Sequence, residues 1–304
     1  MALRFDRRVA IVTGAGGGLG RCHALALAAR GAKVVVNDLG GATDGTGGSR
    51  RAAEQVADEI RAAGGEAIAD AASVTDPAAV ARMVDAAISA WGRVDILINN
   101  AGILRDKSFA KMEPDDFRAV LDVHVMGAVN CTKAVWEIMR TQGYGRVVMT
   151  TSGSGLFGNF GQANYGAAKM ALVGLMQTLG LEGAKHGIKV NCLAPAATTR
   201  MTAALFPPEQ AALLAPEAVT PGLLALVAED APTRVILAAG AGGFERVYVT
   251  LTQGLHIPPL AEDAAELVQA RFADISRRAG DVVPDSAAGQ LAVELAKASR
   301  AVRP

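Results

Sequence analysis

Val9-Ala10-Ile11-Val12-Thr13-Gly14-Ala15-Gly16-Gly17-Gly18-Leu19-Gly20 decides how the rest of the chain is read. A short apolar run opens it, a glycine cluster follows, and Leu19–Arg30 then continues as an Ala- and Leu-rich stretch closed by Gly31. That order predicts a buried strand, a tight turn and a helix. A dinucleotide's pyrophosphate needs close backbone approach and free N–H groups at a helix N-terminus. Gly14 would supply the turn, Gly18 the approach and Gly20 the helix–strand contact, with Leu19 between them. A glycine cluster by itself also reads as a flexible turn; the strand before it and the helix after it select the cofactor reading.

Working outward, the same unit recurs. Apolar runs at Val9–Val12, Lys33–Asn37, Ala67–Ala69, Ile96–Asn99, Arg146–Thr150, Lys189–Leu193 and Thr233–Ala238 lack clean alternation. That suits strands buried on both faces of a parallel sheet. Between them, Leu19–Arg30, Ser49–Ala63, Pro77–Trp91, Pro114–Thr141 and Asn164–His186 read as helices. Gly31, Gly64, Gly92, Gly143 and Gly187 sit where left-handed caps would stop helices. Strand alternating with helix in this way predicts an α/β fold with a doubly wound parallel sheet. Gly40–Gly48 reads as a flexible loop. Residues 200–232 read as short helices interrupted at Pro207-Pro208, Pro216 and Pro221, suited to covering a pocket. After Gly254 the pattern changes: Ala261–Arg278 and Ser286–Arg300 read as two further helices. The expected division is a Rossmann-type domain over 1–254 and a helical extension over 255–304.

Composition narrows the function. The 304 residues carry 30 basic and 30 acidic side chains. That balance gives no electrostatic reason to expect nucleic acid or an anionic membrane as partner. No apolar run approaches the roughly 20 residues of a membrane span, and the charged start lacks a cleavable leader pattern. Cys22, Cys131 and Cys192 are spaced for neither a metal site nor a disulfide framework. Reduced thiols in a cytoplasm are the expectation.

Three more features carry chemistry. Asp38 ends the second strand, 18 residues after Gly20. A carboxylate there accepts hydrogen bonds from adenosine ribose hydroxyls and repels a 2′-phosphate, which favours NAD over NADP; the competing reading is a solvated turn. Asn99-Asn100-Ala101-Gly102 follows the strand at 96. Its small residues let the backbone lie against a cofactor, and its amides either bind ribose or brace the sheet. Tyr165 and Lys169 are four apart on one helix face, with Ser152 thirteen residues earlier. A free phenol, with pKa about 10, is a poor base at neutral pH. A nearby ammonium favours phenolate, and so would the positive nicotinamide ring of an oxidised cofactor. Tyr165 then accepts a substrate hydroxyl proton as hydride leaves for nicotinamide, and Ser152 holds the oxygen, with Ser154 as the competing serine. No residue set points to a metal.

These motifs together resemble the short-chain dehydrogenase/reductase family over about residues 5–250. Val35–Gly41, Asn99–Asp106, Gly158–Tyr165 and Arg200-Met201-Thr202 are similar to one branch of it. That branch is the (3R)-hydroxyacyl-CoA dehydrogenase domain of the peroxisomal multifunctional enzyme and its bacterial relatives. The resemblance implies NAD-dependent oxidation of a (3R)-hydroxyacyl-CoA, a β-oxidation step in lipid metabolism, with steroid side-chain degradation as one setting. It implies a homodimer or homotetramer packed through helices 114–141 and 164–186. It places Ser73-Val74 near adenine, in place of the usual Asp-Val, and Pro195-Ala196 near nicotinamide, in place of the usual Pro-Gly. His124 stands where most members carry a catalytic Asn, as a proton-relay anchor or as packing. The tail after 254 is expected to have no counterpart in the isolated eukaryotic domain of that branch. Arg105, Lys107 and Lys111 are candidates for CoA phosphates. A free hydroxysteroid or other secondary alcohol is the alternative substrate, and a catalytically silent dinucleotide sensor the alternative from another class.

Overall fold

The computed structural model describes residues 2–200, 202, 207–258 and 261–301. Met201, residues 203–206 of the expected pocket cover, and residues 302–304 lie outside this set. Packing divides the chain into two compact units, Met1–Arg246 and Val247–Pro304.

In the first unit the strands are β1 Val9–Thr13, β2 Lys33–Asn37, β3 Ala67–Asp70, β4 Ile96–Asn99, β5 Gly145–Thr150, β6 Ile188–Ala196, β7 Ile236–Gly240 and β8 Gly243–Val247. They form one sheet in the order β3-β2-β1-β4-β5-β6-β7-β8. All registered pairs are parallel, for example Ile11 beside Val35 and Leu97. The helices α1 Gly18–Ala28, α2 Arg51–Ala62, α3 Pro77–Trp91, α4 Pro114–Leu121, α5 Gly127–Gln142, α6 Gly153–Phe157 and α7 Ala163–Gly183 connect them. Val34, Val36, Ile96, Ile98 and Val148 are fully buried, as strands covered on both faces require. The chain winds outward from β1 to β3, then returns to place β4 on the other side of β1. That reversal opens a crevice at the strands' C-terminal ends, where open α/β sheets bind ligands. Among the described residues no helix is long and apolar enough to cross a membrane.

Three differences from the sequence reading have physical causes. The helix expected over Pro114–Thr141 contains one π-helical turn, Asp122–Met126, between α4 and α5. The extra residue in that turn rotates His124 inward, to 3% exposure. The prolines of the 207–226 segment begin helices instead of interrupting them. Pro208 opens α8 (Pro208–Leu213), Pro216 opens a short 3₁₀ turn, and Pro221 lies in the first turn of α9 (Thr220–Leu226). Proline's missing N–H costs nothing there, because first-turn donors have no helical partner. Strand β8 was not expected. Ala241 and Gly242 both have positive φ, at 49° and 82°, and that geometry turns a two-residue hairpin into an antiparallel edge strand.

In the second unit, the stretch expected as one helix over Ala261–Arg278 is two, α10 Ala264–Ala270 and α11 Phe272–Ile275. Helix α12 spans Ala287–Ala301. Leu251 and Val282 form an isolated antiparallel bridge.

At the opposite end of the sheet from the crevice, Asp95 is fully buried. It accepts from the Val9 amide at 2.9 Å, from Arg8 at 3.1 Å and from two Arg93 nitrogens at 2.7 and 2.6 Å. The Tyr144 ring lies between the guanidinium groups of Arg8 (3.6 Å) and Arg146 (4.0 Å). Asp95→Asn keeps the shape but turns one acceptor into a donor facing donors. Its expected cost is about 2 kcal/mol of stability. Urea unfolding reads this directly, and an unchanged midpoint would contradict the role given to Asp95.

Candidate active site

The glycine turn leaves the end of β1 and is held from the side by the residues after β4. Thr13 Oγ1 accepts from the amides of Asn100 (3.0 Å) and Ala101 (3.1 Å). The Asn100 side chain donates to the carbonyls of Thr13 (2.9 Å) and Gly14 (3.1 Å). Of the two readings of these amides, this is bracing. Asn99 likewise donates to Thr132 Oγ1 at 3.0 Å. A Cβ on Gly14 would lie 2.8 Å from Ala101 Cα, and one on Gly20 would lie 2.2 Å from the Gly14 carbonyl oxygen. Those contacts demand glycine. On the open side a Cβ on Gly17 would meet nothing within 4 Å, so a ligand can approach the α1 N-terminus there.

Asp38 lies beside this turn. Its Oδ2 accepts from Gly16 N at 2.7 Å and its Oδ1 from Gly40 N at 2.6 Å. Each carboxylate oxygen has a further lone pair for a hydroxyl donor. Farther out, Val74 forms a wall of the crevice. Asn130 donates to its carbonyl at 2.9 Å, and Gly127 makes room for its side chain, since a Cβ there would lie 2.6 Å from Val74 Cγ2. Ser73 is hydrogen-bonded to Thr75 at 2.8 Å.

The reacting end is built by β5, α6 and α7. Ser152 follows β5 and caps α6, its Oγ accepting from Ser154 N at 3.2 Å. Asn164 is fully buried; its Oδ1 accepts from Tyr165 N at 2.7 Å while its amide donates to the Arg105 carbonyl at 3.0 Å. That pins the start of α7 to the loop after β4. Lys169, one turn later, is 3% exposed. Its Nζ donates to the Thr150 carbonyl at 2.6 Å and lies 5.4 Å from the centre of the Tyr165 ring. His124 Nε2 lies 3.1 Å from Ile103 N and 2.9 Å from Ile103 O, serving one or the other according to tautomer. Its ring meets that of Tyr165 edge-on, at 5.3 Å and 88°. Gly102 lets it in: a Cβ there would lie 2.2 Å from His124 Cε1.

The ammonium alone does not make Tyr165 acidic. Burial pushes the phenol up, and the Ser152 hydroxyl beside it opposes that only in part. Burial pushes Lys169 down to about 7. It also pushes His124 well below the usual histidine range, with the Lys169 charge adding to the effect. A side chain's charge reaches four residues along a helix, but a low-dielectric surrounding works against every charge in it.

One cavity of about 620 Å³ joins both ends. It is lined by Gly14, Gly18, Leu19, Gly20, Asp38, Ser73 and Val74 on one side. Asn100, Ala101, Gly102, His124, Ser152, Tyr165, Lys169 and Pro195 complete it. The crevice fits a dinucleotide: a glycine cradle that a Cβ would fill, an acceptor-only Asp38, and a proton-handling cluster at the far end. Sequence reading missed further lining residues, among them Thr43, Gly45, Asp106, Gln162 and Thr199. Ser154 lines the cavity too, but its amide is spent on Ser152. Of the phosphate candidates, Arg105 (3.3 Å) and Lys107 (2.8 Å) share the Asp116 carboxylate, so neither is an uncompensated cation.

Comparison with known proteins agrees with this geometry. Residues 8–210 match the short chain dehydrogenase family model. The chain is 48% identical over 262 residues to the peroxisomal multifunctional enzyme type 2 of Drosophila melanogaster, covering 86% of this chain and 43% of that protein. It is 49% identical over 276 residues to a short-chain type dehydrogenase/reductase of Mycobacterium tuberculosis, covering 90% and 95%. The structure of the full-length Drosophila enzyme superposes with a TM-score of 0.82 at 35% identity, over 99% of this chain and 51% of that one. That likeness extends past residue 254, so the tail expected to lack a eukaryotic counterpart has one in the full-length enzyme. A 7α-hydroxysteroid dehydrogenase, solved with NADH and 7-oxo glycochenodeoxycholic acid, superposes with a TM-score of 0.71 at 31% identity over 79% of this chain and 95% of that one. The chain belongs to the short-chain dehydrogenase family and is an oxidoreductase that works with a nicotinamide dinucleotide.

Proposed function

We propose that the protein oxidises a (3R)-hydroxyacyl-CoA to the 3-ketoacyl-CoA with NAD, as a β-oxidation step. The observation that carries this reading is one cavity holding Asp38 at one end and Ser152, Tyr165 and Lys169 at the other. It occurs in a chain nearly half identical to a peroxisomal multifunctional enzyme. A bound oxidised nicotinamide supplies the hydride acceptor and a positive charge that favours phenolate. Ser152 donates a hydrogen bond to the substrate oxygen. Tyr165 takes the hydroxyl proton as the carbon gives up hydride. Lys169, poised near neutrality, holds positive charge beside the phenol and would donate to the ribose of a bound dinucleotide. His124 is a positioning residue: buried and neutral, it ties Ile103 to the Tyr165 ring through Nε2 and an edge contact.

NAD is the dinucleotide we assign, because Asp38 offers only acceptors where a 2′-phosphate would sit. Asp38→Ala should lower the NAD-to-NADP ratio of kcat/KM at least about tenfold, the value of one charge-assisted contact. An unchanged ratio would remove Asp38 from cofactor choice.

The substrate reading is tested by comparing a 3-hydroxyacyl-CoA with the matching free 3-hydroxy acid. A large preference in kcat/KM for the thioester supports it. Faster turnover of free hydroxysteroids supports the alternative that likeness to the 7α-hydroxysteroid dehydrogenase favours; oxidation of sterol-bearing acyl-CoAs would place the enzyme in steroid side-chain degradation. No turnover of any alcohol would leave a dinucleotide sensor.

We further propose a catalytic domain ending between residues 246 and 254, with the remainder to 304 as an appendage. Copies pair as a homodimer or homotetramer through α5 and α7. A groove of about 750 Å³ between these helices, lined by the half-buried Trp136, Leu175 and Leu179, supports such pairing. Three buried, unpaired cysteines suit a reducing cytoplasm.

A further inference from the structure

The glycine-rich segment 40–48 is tied down at both ends. At its root, Gly40 N donates to Asp38 Oδ1 at 2.6 Å and Ser49 N to the Leu39 carbonyl at 2.8 Å. At its tip, the Thr43 carbonyl accepts from Leu104 N at 2.9 Å, and the Asp44 carbonyl accepts from Arg105 Nε at 3.1 Å. Within the tip, Asp44 Oδ1 accepts from Thr46 N and Oγ1 at 2.9 and 2.7 Å, so the turn has its own shape. Gly45 lies against Ile103, where a Cβ would be 3.2 Å from that side chain.

The strand order shows what this segment crosses. It leaves the end of β2 and is fastened to the residues after β4, and β1 lies between those strands. The span is two strand spacings, about 10 Å. The glycine turn at Gly14–Gly20 leaves from the end of β1. Gly41, Thr43 and Gly45 line the same cavity as Gly17 and Gly18. A dinucleotide seated on that turn would lie against the segment.

We propose that residues 40–48 form a clasp over the dinucleotide, and that Arg105 is the latch that keeps it shut. Arg105 is thereby a positioning residue for the cofactor, not a ligand for substrate phosphate. Its guanidinium is well placed for this: Asp116 holds it from one side at 3.3 Å while Nε holds the Asp44 carbonyl. The proposal rests on the dinucleotide reading of the site and is independent of the substrate.

Displacement of NADH by excess NAD, followed by NADH fluorescence in a stopped-flow instrument, tests it. Arg105→Ala should speed NADH release about five- to tenfold, the factor for one lost hydrogen bond. Lys107→Ala, which loses the shared Asp116 contact but not the Asp44 one, should stay within about twofold of wild type. Gly45→Val, which pushes the tip off Ile103 at a φ of +91°, should also speed release. Release from Arg105→Ala within twofold of wild type would overturn the proposal, as would equal acceleration in Lys107→Ala. Should Arg105→Ala fail to fold, Gly45→Val decides: normal melting with unchanged release overturns the clasp. If wild type binds NADPH and not NADH, the NAD assignment fails while the same displacement with NADPH still tests the clasp.

Discussion

Tyr165→Phe should lower the kcat of alcohol oxidation about a thousandfold, within the range general base catalysis contributes. NADH affinity should stay within about threefold of wild type, since one hydrogen bond at most is lost from the cofactor side. The phenol is hydrogen-bonded to the Ser152 side chain, and the residue is held in place by its backbone amide, which donates to Asn164 Oδ1 at 2.7 Å. The ring's edge contact with His124 survives the change. The variant therefore folds normally and separates binding from chemistry. Fluorescence titration and steady-state kinetics on the same preparation check both halves. A kcat within tenfold of wild type would remove Tyr165 from proton transfer.

Lys169→Met should move activity and stability in opposite directions. Activity falls, by about a hundredfold or more, because the phenol loses the Lys169 cation beside it. Stability rises. Lys169 titrates at about 7 in the folded chain against about 10.4 when unfolded. Between those values the unfolded chain binds more protons, so this site's contribution to stability climbs as pH rises from about 7 to about 10.4. Below pH 7 both states are protonated and the cost of burying the ammonium is present in full. Methionine fills similar space without that cost. The expected gain is about 1–3 kcal/mol at pH 7, after the lost bond to the Thr150 carbonyl is counted. The advantage over wild type should shrink as pH approaches 10. Urea midpoints of both proteins at pH 7 and pH 9.5 check this. A variant less stable than wild type at pH 7, or an advantage that grows with pH, would contradict the burial argument.

Much of this architecture was legible in the sequence because it rests on local chemistry. The glycine turn, the strand ends at Asn37 and Asn99 and the Tyr165–Lys169 spacing follow from periodicity and from residues that suit only certain backbones. Gly92 and Gly143 stop their helices at φ of 75° and 65°, as a left-handed cap requires. What stayed hidden depends on non-local contacts. The segment at 40–48 reads as flexible because its glycines have no side chains to interpret; the groups that hold it are carbonyls meeting Leu104 and Arg105, some sixty residues away. The inward turn of His124 depends on one extra residue in a helix, which shifts the periodicity by less than a third of a turn. The balance of effects on the Tyr165 phenol is hidden for a related reason. Its charged neighbour is visible in the sequence, but the apolar surroundings that outweigh it exist only once the chain has folded.

The central claim is most directly tested by following NADH formation from NAD with paired (3R)- and (3S)-hydroxyacyl-CoA substrates of several chain lengths. The account predicts oxidation of the (3R) series, with the 3-ketoacyl-CoA as product and the (3S) series near background. Absence of NADH with every hydroxyacyl-CoA, alongside brisk turnover of a free secondary alcohol, would contradict it.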